Sequence, residues 1–200
     1  HIITTGNHVW DKKDFINYIS KDNRILRPLN FPPGVPGYGS VVINAANGIK
    51  VAVLNISGRV FMSNLDCPFR AFTAEIDRIQ KDVKIIIVDF HAEATSEKIA
   101  FGYFVDGKVS AVVGTHTHVQ TADDKILQNG TAYITDVGMT GPANSVIGIE
   151  INQIIQRFLT NMPARFETAR GEGVLSAVVI EINNDNGKAT GLQRLQVKYP

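Results

Sequence analysis

Apolar positions along the chain fall into two rhythms. The clearest strand is Lys84-Ile85-Ile86-Ile87-Val88-Asp89-Phe90-His91, whose unbroken apolar run predicts a central strand covered on both faces. Val109-Ser110-Ala111-Val112-Val113 reads as a second buried strand. Val174 to Ile182 alternates, with Val178, Ile180 and Ile182 set against Val179 and Glu181, and Leu192 to Val197 closes the sheet after a turn at Asn183 to Lys188. His1 to Thr5 reads as a short strand. Helical spacing appears at Phe69, Phe72, Ile76 and Ile79, in a helix that starts at Asp66-Cys67-Pro68, where proline is tolerated. Asp11 is placed to cap a helix from Lys12 to Ile19. Thr95 or Ser96 caps another, with Ile99, Ala100, Tyr103 and Phe104 as its expected buried stripe, and Ile149 to Leu159 is a further helix. Ala46-Asn47-Gly48 and Gln128-Asn129-Gly130 are hairpin signals, the first joining Ser40–Ala46 to Lys50–Ile56 and the second Ile126-Leu127 to Thr131–Ile134. Prolines and glycines between Arg24 and Ser40 predict a long loop, which could wall a pocket or simply cross the surface. Antiparallel hairpins inside an otherwise alternating chain argue for an α/β fold with a mixed sheet.

Composition narrows the function. With 200 residues, 44% of them hydrophobic, the chain can bury the core of a single domain spanning 1–200. A net charge of +1 without a basic run argues against an extended nucleic-acid surface. Cys67 is the only cysteine, so no intrachain disulfide forms, which fits a reducing cytoplasm. No apolar stretch reaches membrane-spanning length, so no membrane partner is expected. The chain opens without Met, on residues that already read as a buried strand, and an N-terminal portion is expected to be missing.

Polar chemistry collects where strands end. Gly114 breaks the strand before His116 and His118, and in extended backbone residues two apart point the same way. Both imidazoles could then face one volume; the alternative is a turn with two solvated histidines. Asn7-His8 follows the first strand and Asp89-Phe90-His91 ends the central one, the end at which ligands gather in open α/β sheets. Asp89 could orient an imidazole or cap the following loop, and Asp136 could line the site or fix its turn. Trp10 and Cys67 read as packing residues. A donor set rich in nitrogen suits zinc, iron or manganese better than calcium. Three histidines and one asparagine are too few for two metals, and no Asp-rich motif supplies the carboxylates.

Thr5-Gly6-Asn7-His8, Asp89-Phe90-His91-Ala92-Glu93-Ala94-Thr95 and Gly114-Thr115-His116-Thr117-His118, in that order, resemble the later motifs of the calcineurin-like metallophosphoesterases. The fuller wording, Gly-Asn-His-Val-Trp through Gly-Thr-His-Thr-His-Val-Gln-Thr-Ala-Asp, is similar to the YmdB-like 2′,3′-cyclic-nucleotide phosphodiesterase branch. The resemblance implies two facing mixed β-sheets flanked by helices, a four-layer sandwich. It implies a cytoplasmic enzyme with two divalent or trivalent transition-metal ions, iron or manganese ahead of zinc. Asn7, His91 and His116 would bind one ion and His118 the other, while His8 would act on the phosphate as general acid or charge stabiliser. The implied substrate is a small phosphodiester, a 2′,3′-cyclic nucleotide first, attacked by a hydroxide that the two metals activate. The family's earlier carboxylate motifs have no counterpart in this sequence. Two alternatives stand beside this reading: an amidohydrolase, which the hairpins disfavour, and a non-catalytic binding or regulatory module with an incomplete centre. A homo-oligomer is left open.

Overall fold

A computed structural model describes residues 1–200. In chain order the elements are β1 (Ile3–Thr4), α1 (Lys13–Ile19), β2 (Ile25–Leu26), β3 (Ser40–Asn44), β4 (Lys50–Ser57), α2 (Pro68–Ile79), β5 (Ile85–His91) and α3 (Thr95–Val105). There follow β6 (Ala111–Thr115), β7 (Lys125–Ile126), β8 (Ala132–Ile134), β9 (Gly141–Pro142), α4 (Ile151–Thr160), β10 (Gly173–Ile182) and β11 (Ala189–Tyr199). The main sheet has the order β3-β4-β5-β6-β8-β7. Its centre, β4-β5-β6-β8, is parallel, and a hairpin partner pairs antiparallel at each edge. The sheet is therefore mixed for the reason the two hairpin signals gave. A smaller, wholly antiparallel sheet runs β11-β10-β9, and β1 pairs with β2 alone.

Two packed faces hold the main sheet. On one, Phe72, Ile76 and Ile79 of α2 and Phe101 and Val105 of α3 bury against Leu54, Ile56, Val88, Phe90 and Val112. The Phe101 ring stacks on Phe90 with centroids 4.3 Å apart and meets Phe69 and Phe72 edge-on. Burying each such side chain contributes roughly 1.5–3 kcal/mol. On the other face Ala111 and Ala132 meet Ala189, with Ile87, Ile180 and Leu192 around them. Small side chains at this contact let the β10–β11 hairpin lie directly against β6 and β8.

The buried stripe of α3 differs from the expected one. Lys98, Phe101, Gly102 and Val105 face inward, while Tyr103 and Phe104 are exposed. Apolar spacing misplaces the face because a lysine occupies it, its charge matched inside the protein. The helix cap differs as well: Ala94 holds the cap position and Thr95 is already helical. Likewise α1 starts one residue later than expected, so Lys12 holds its cap position without a side-chain bond and Asp11 instead meets His8. Glu150 caps α4 by accepting from the Gln153 amide at 3.0 Å, which moves that helix two residues along from its expected start. No residue of α4 is buried, and none of the helices is long and apolar enough to cross a membrane.

The loop after β2 is fixed from within. Asn30 is buried, donates to the carbonyls of Ser57 and Asp66, and accepts from the Ser57 amide. The loop also serves as a wall, since Phe31, Pro32 and Val35 line a cavity beside Asn7.

Truncating the inward residue of α3 should cost far more than truncating its outward neighbour. Phe101→Ala should lose about 3–5 kcal/mol in urea unfolding, and Tyr103→Ala within about 1 kcal/mol. Equal losses would contradict the observed face.

Candidate metal centre

Parallel pairing of β5 with β6 sets His91 beside Thr115, so the chain leaves β6 at His116 next to the His91 ring. From the other side, a single turn of 3-10 helix at Gly6–His8 brings Asn7 over the same ring. Gly6 makes that approach feasible. Its φ is +58°, and an added Cβ would collide with the His91 imidazole. The Gly6 amide donates to Asn55 Oδ1 at 3.1 Å, and Asn55 Nδ2 donates to Asp89 Oδ2 at 3.2 Å, so buried side chains of β4 and β5 hold the turn.

The cluster closes to within hydrogen-bonding distance. His91 Nε2 lies 2.7 Å from Asn7 Oδ1 and 3.1 Å from His116 Nδ1. The proton positions follow from the surrounding network. Thr115 Oγ1 donates to Asp89 Oδ1 at 2.7 Å, so it can only accept from His91 Nδ1 at 2.9 Å. His91 thus carries its proton on Nδ1 and presents a lone pair at Nε2. Burial, then the neighbouring His116, pushes the pKa of His91 down to about 3, which keeps the ring neutral. His116 Nε2 faces Glu93 Oε2 at 3.1 Å, so its proton sits there and Nδ1 is a lone pair. Burial lowers the pKa of His116 too, with Glu93 opposing. Burial also raises that of Asp89, against the hydroxyls of Thr4 and Thr115.

Three lone pairs, on Asn7 Oδ1, His91 Nε2 and His116 Nδ1, therefore converge with no proton between them. A cation placed among them would relieve their mutual repulsion. Donors about 2.0–2.1 Å from one transition metal, at right angles, are themselves about 3 Å apart. The observed separations of 2.7 and 3.1 Å fit that requirement. No three His, Cys, Asp or Glu side chains form a cage unaided; a third donor would be the Asn7 side-chain oxygen.

His118 and His8 stand further out. β6 ends at Thr115, and both histidines beyond it have positive φ, +102° at His116 and +69° at His118. The expectation that they share a face through extended backbone therefore fails. Gly114 does not end the strand either; it lies within β6, where a Cβ would run into the Thr135 carbonyl oxygen. His118 is exposed and its Nδ1 lies 3.1 Å from the Ile147 carbonyl. It nevertheless lines one cavity of about 250 Å³ together with His91, His116 and Asp89. His8 is exposed, with Nδ1 2.8 Å from Asp11 Oδ2.

Asp89 orients His91 through Thr115, and Asp136 lies behind the cluster rather than in the cavity lining. Thr115 and Glu93 stand within the quoted motifs, which assign them no role, and Asn55 and Lys98 escaped the sequence reading. The signal for the last two was a polar residue inside an apolar pattern.

A family model described as "YmdB-like protein" matches residues 1–195. The chain belongs to the YmdB-like family. Among its relatives, a Bacillus subtilis protein named 2′,3′-cyclic-nucleotide 2′-phosphodiesterase is 51% identical over 195 residues, covering 98% of this chain and 74% of that one. A hypothetical protein from Thermus thermophilus has a crystal structure that superposes with a TM-score of 0.92 at 38% identity, covering 100% of this chain and 77% of that one. A crystal structure described as a novel phosphatase from Mycoplasma pneumoniae gives 0.90 at 35% identity, over 98% of this chain and 72% of that one. This YmdB-like chain is a hydrolytic enzyme with the mixed α/β fold of those structures.

Two outcomes are expected at the cluster. Gly6→Ala should displace the His91 ring and weaken binding of Mn²⁺ at least tenfold by equilibrium dialysis; unchanged binding would mean the Gly6–His91 contact is unimportant. For pH, folding holds His91 neutral down to about 3, whereas an unfolded imidazole takes a proton near 6.5. The unfolded chain binds more protons between those values, so this contribution is complete above 6.5 and is lost as pH falls towards 3. Urea midpoints of metal-free His91→Gln should therefore fall less steeply with acidification than those of the native sequence; parallel profiles would refute it.

Proposed function

We propose that this protein hydrolyses 2′,3′-cyclic nucleotides, opening the ring at the 2′ oxygen and leaving a 3′-phosphomonoester. The observation that carries the reading is the convergence of three unprotonated donors, Asn7 Oδ1, His91 Nε2 and His116 Nδ1. The name of the Bacillus subtilis relative supports the substrate class.

The trio would hold one cation, with iron or manganese ahead of zinc. His118, on the same cavity wall, would serve a second cation together with further donors. Such cations supply Lewis acidity to the phosphoryl oxygens and make nearby water more acidic. Because the donors from this chain are neutral, they would reduce that acidity less than carboxylates would.

His8 directly follows Asn7 in the turn, so its exposed ring, which lines a neighbouring cavity with Thr5, Val9 and Phe15, would need to swing towards a phosphate bound at the trio. The Asp11 carboxylate holds its Nδ1, leaving Nε2 free to give a proton to the departing 2′ oxygen. Beside Asn7 a cavity of about 330 Å³ is walled by Trp10, Phe31, Val35, Met62 and Leu65. Aromatic and apolar walls of that kind accept the face of a nucleobase. A cavity of about 410 Å³ adjoins the site through His118 and Met139 and gives room for the rest of the ligand.

With Mn²⁺ present, the protein should convert 2′,3′-cyclic AMP to 3′-AMP, as followed by chromatography. His8→Ala should keep its metal content and lose about 10²–10⁴-fold in kcat. His116→Ala should lose both metal and turnover. A His8→Ala variant with native kcat would remove His8 from the reaction, and 2′-AMP as product would reverse the assignment of the leaving oxygen.

A further inference from the structure

We propose that Lys98 and Asp136 form a buried clamp that positions His116. The proposal rests on the reading of His116 as a metal ligand. Lys98 Nζ and Asp136 Oδ2 are 2.7 Å apart, and each side chain is 1% exposed. An ion pair at that depth contributes little net stability, since desolvation offsets the attraction. Its value lies in what else the two groups hold.

Both reach the main chain on either side of His116. Lys98 Nζ donates to the Thr115 carbonyl at 2.7 Å, and the Thr117 amide donates to Asp136 Oδ2 at 3.0 Å. One ion pair thus fastens the carbonyl before His116 and the amide after it. Between these anchors His116 has φ +102°, a conformation that side-chain-bearing residues rarely adopt and that persists only when its surroundings impose it. Released, the turn would relax and carry the imidazole away from His91 and Asn7.

The clamp is itself braced. Asp136 Oδ1 accepts from the Gly138 amide at 2.9 Å, and the Asp136 amide donates to Thr121 Oγ1 at 2.9 Å. Thr115 links the clamp to the second imidazole. Its carbonyl is held by Lys98, while its hydroxyl accepts from His91 and donates to Asp89. Lys98 makes no hydrogen bond to a cavity-lining imidazole; it reaches His116 through the Thr115 carbonyl, through Asp136, and through its charge.

The test separates position from stability. Lys98→Met strands the Asp136 charge and should lower both the melting temperature and the affinity for Mn²⁺, the latter at least tenfold. Lys98→Met/Asp136→Leu strands neither charge but still removes the partners of the Thr115 carbonyl and the Thr117 and Gly138 amides, so it should regain only part of the melting temperature lost in Lys98→Met. It should still bind Mn²⁺ at least tenfold more weakly than the native protein. In its metal-free form the imidazole ¹⁵N resonances of His116 should move while those of exposed His8 stay. Asp136→Asn, isosteric with the native residue, gives the same ring comparison in a variant that keeps the side-chain volume. Native His116 resonances in either charge-free-Asp136 variant, or native Mn²⁺ affinity in the double variant, would overturn the clamp. Failure of the native protein to bind Mn²⁺ would overturn the metal reading instead, and the metal-free His116 resonances would still decide for or against the clamp.

Discussion

The proton on His91 Nδ1 is the constraint on which the site depends. Thr115 gives its own hydroxyl hydrogen to Asp89 and so has only an acceptor to offer the imidazole. That relay turns His91 Nε2 into a lone pair aimed at two others, and burial keeps the ring from escaping the conflict by taking a second proton. On the proposed reading, the cluster is therefore already arranged to receive positive charge. Ligands that are already oriented lose less freedom on binding than ligands that must be gathered, which is how folding energy is converted into affinity.

The sheet supplies the placement. Parallel neighbours end at the same rim, so β5 and β6 deliver His91 and Thr115 side by side without any specialised loop. Close backbone approach completes it at Gly6, where the turn lies flat on a ring, and at Gly114, where β6 crosses tightly against the Thr135 carbonyl. Neither position has room for a side chain. The site is thus as much a product of missing atoms as of donor groups.

Much of this was legible in the order of residues. Ile85–His91 reads as a buried central strand because its apolar run is uninterrupted, and the polar residues at its end are where the cavity lies. The hairpin signals correctly implied antiparallel edges. What resisted reading had a common cause: local rules gave way to distant partners. Apolar spacing put Tyr103 and Phe104 inside α3, but Lys98 claims the inner face because Asp136, 38 residues away, neutralises it. Alternation put His116 and His118 on one face, but both have positive φ, and hydrogen bonds to that same pair flank His116. Asp136 could not be assigned from its own neighbourhood, since its meaning comes from α3.

The turn at Gly6–His8 places an oxygen donor and an imidazole on adjacent residues of one short peptide. The backbone spacing of the two is set by the peptide bond between them, whereas the distance from Asn7 to the walls at Trp10, Phe31 and Met62 is set by packing. Those walls can be reshaped by substitution while the spacing of Asn7 and His8 stays the same. On the proposed reading, such an arrangement would let the ligand accepted at those walls change while the Asn7–His8 pair is kept.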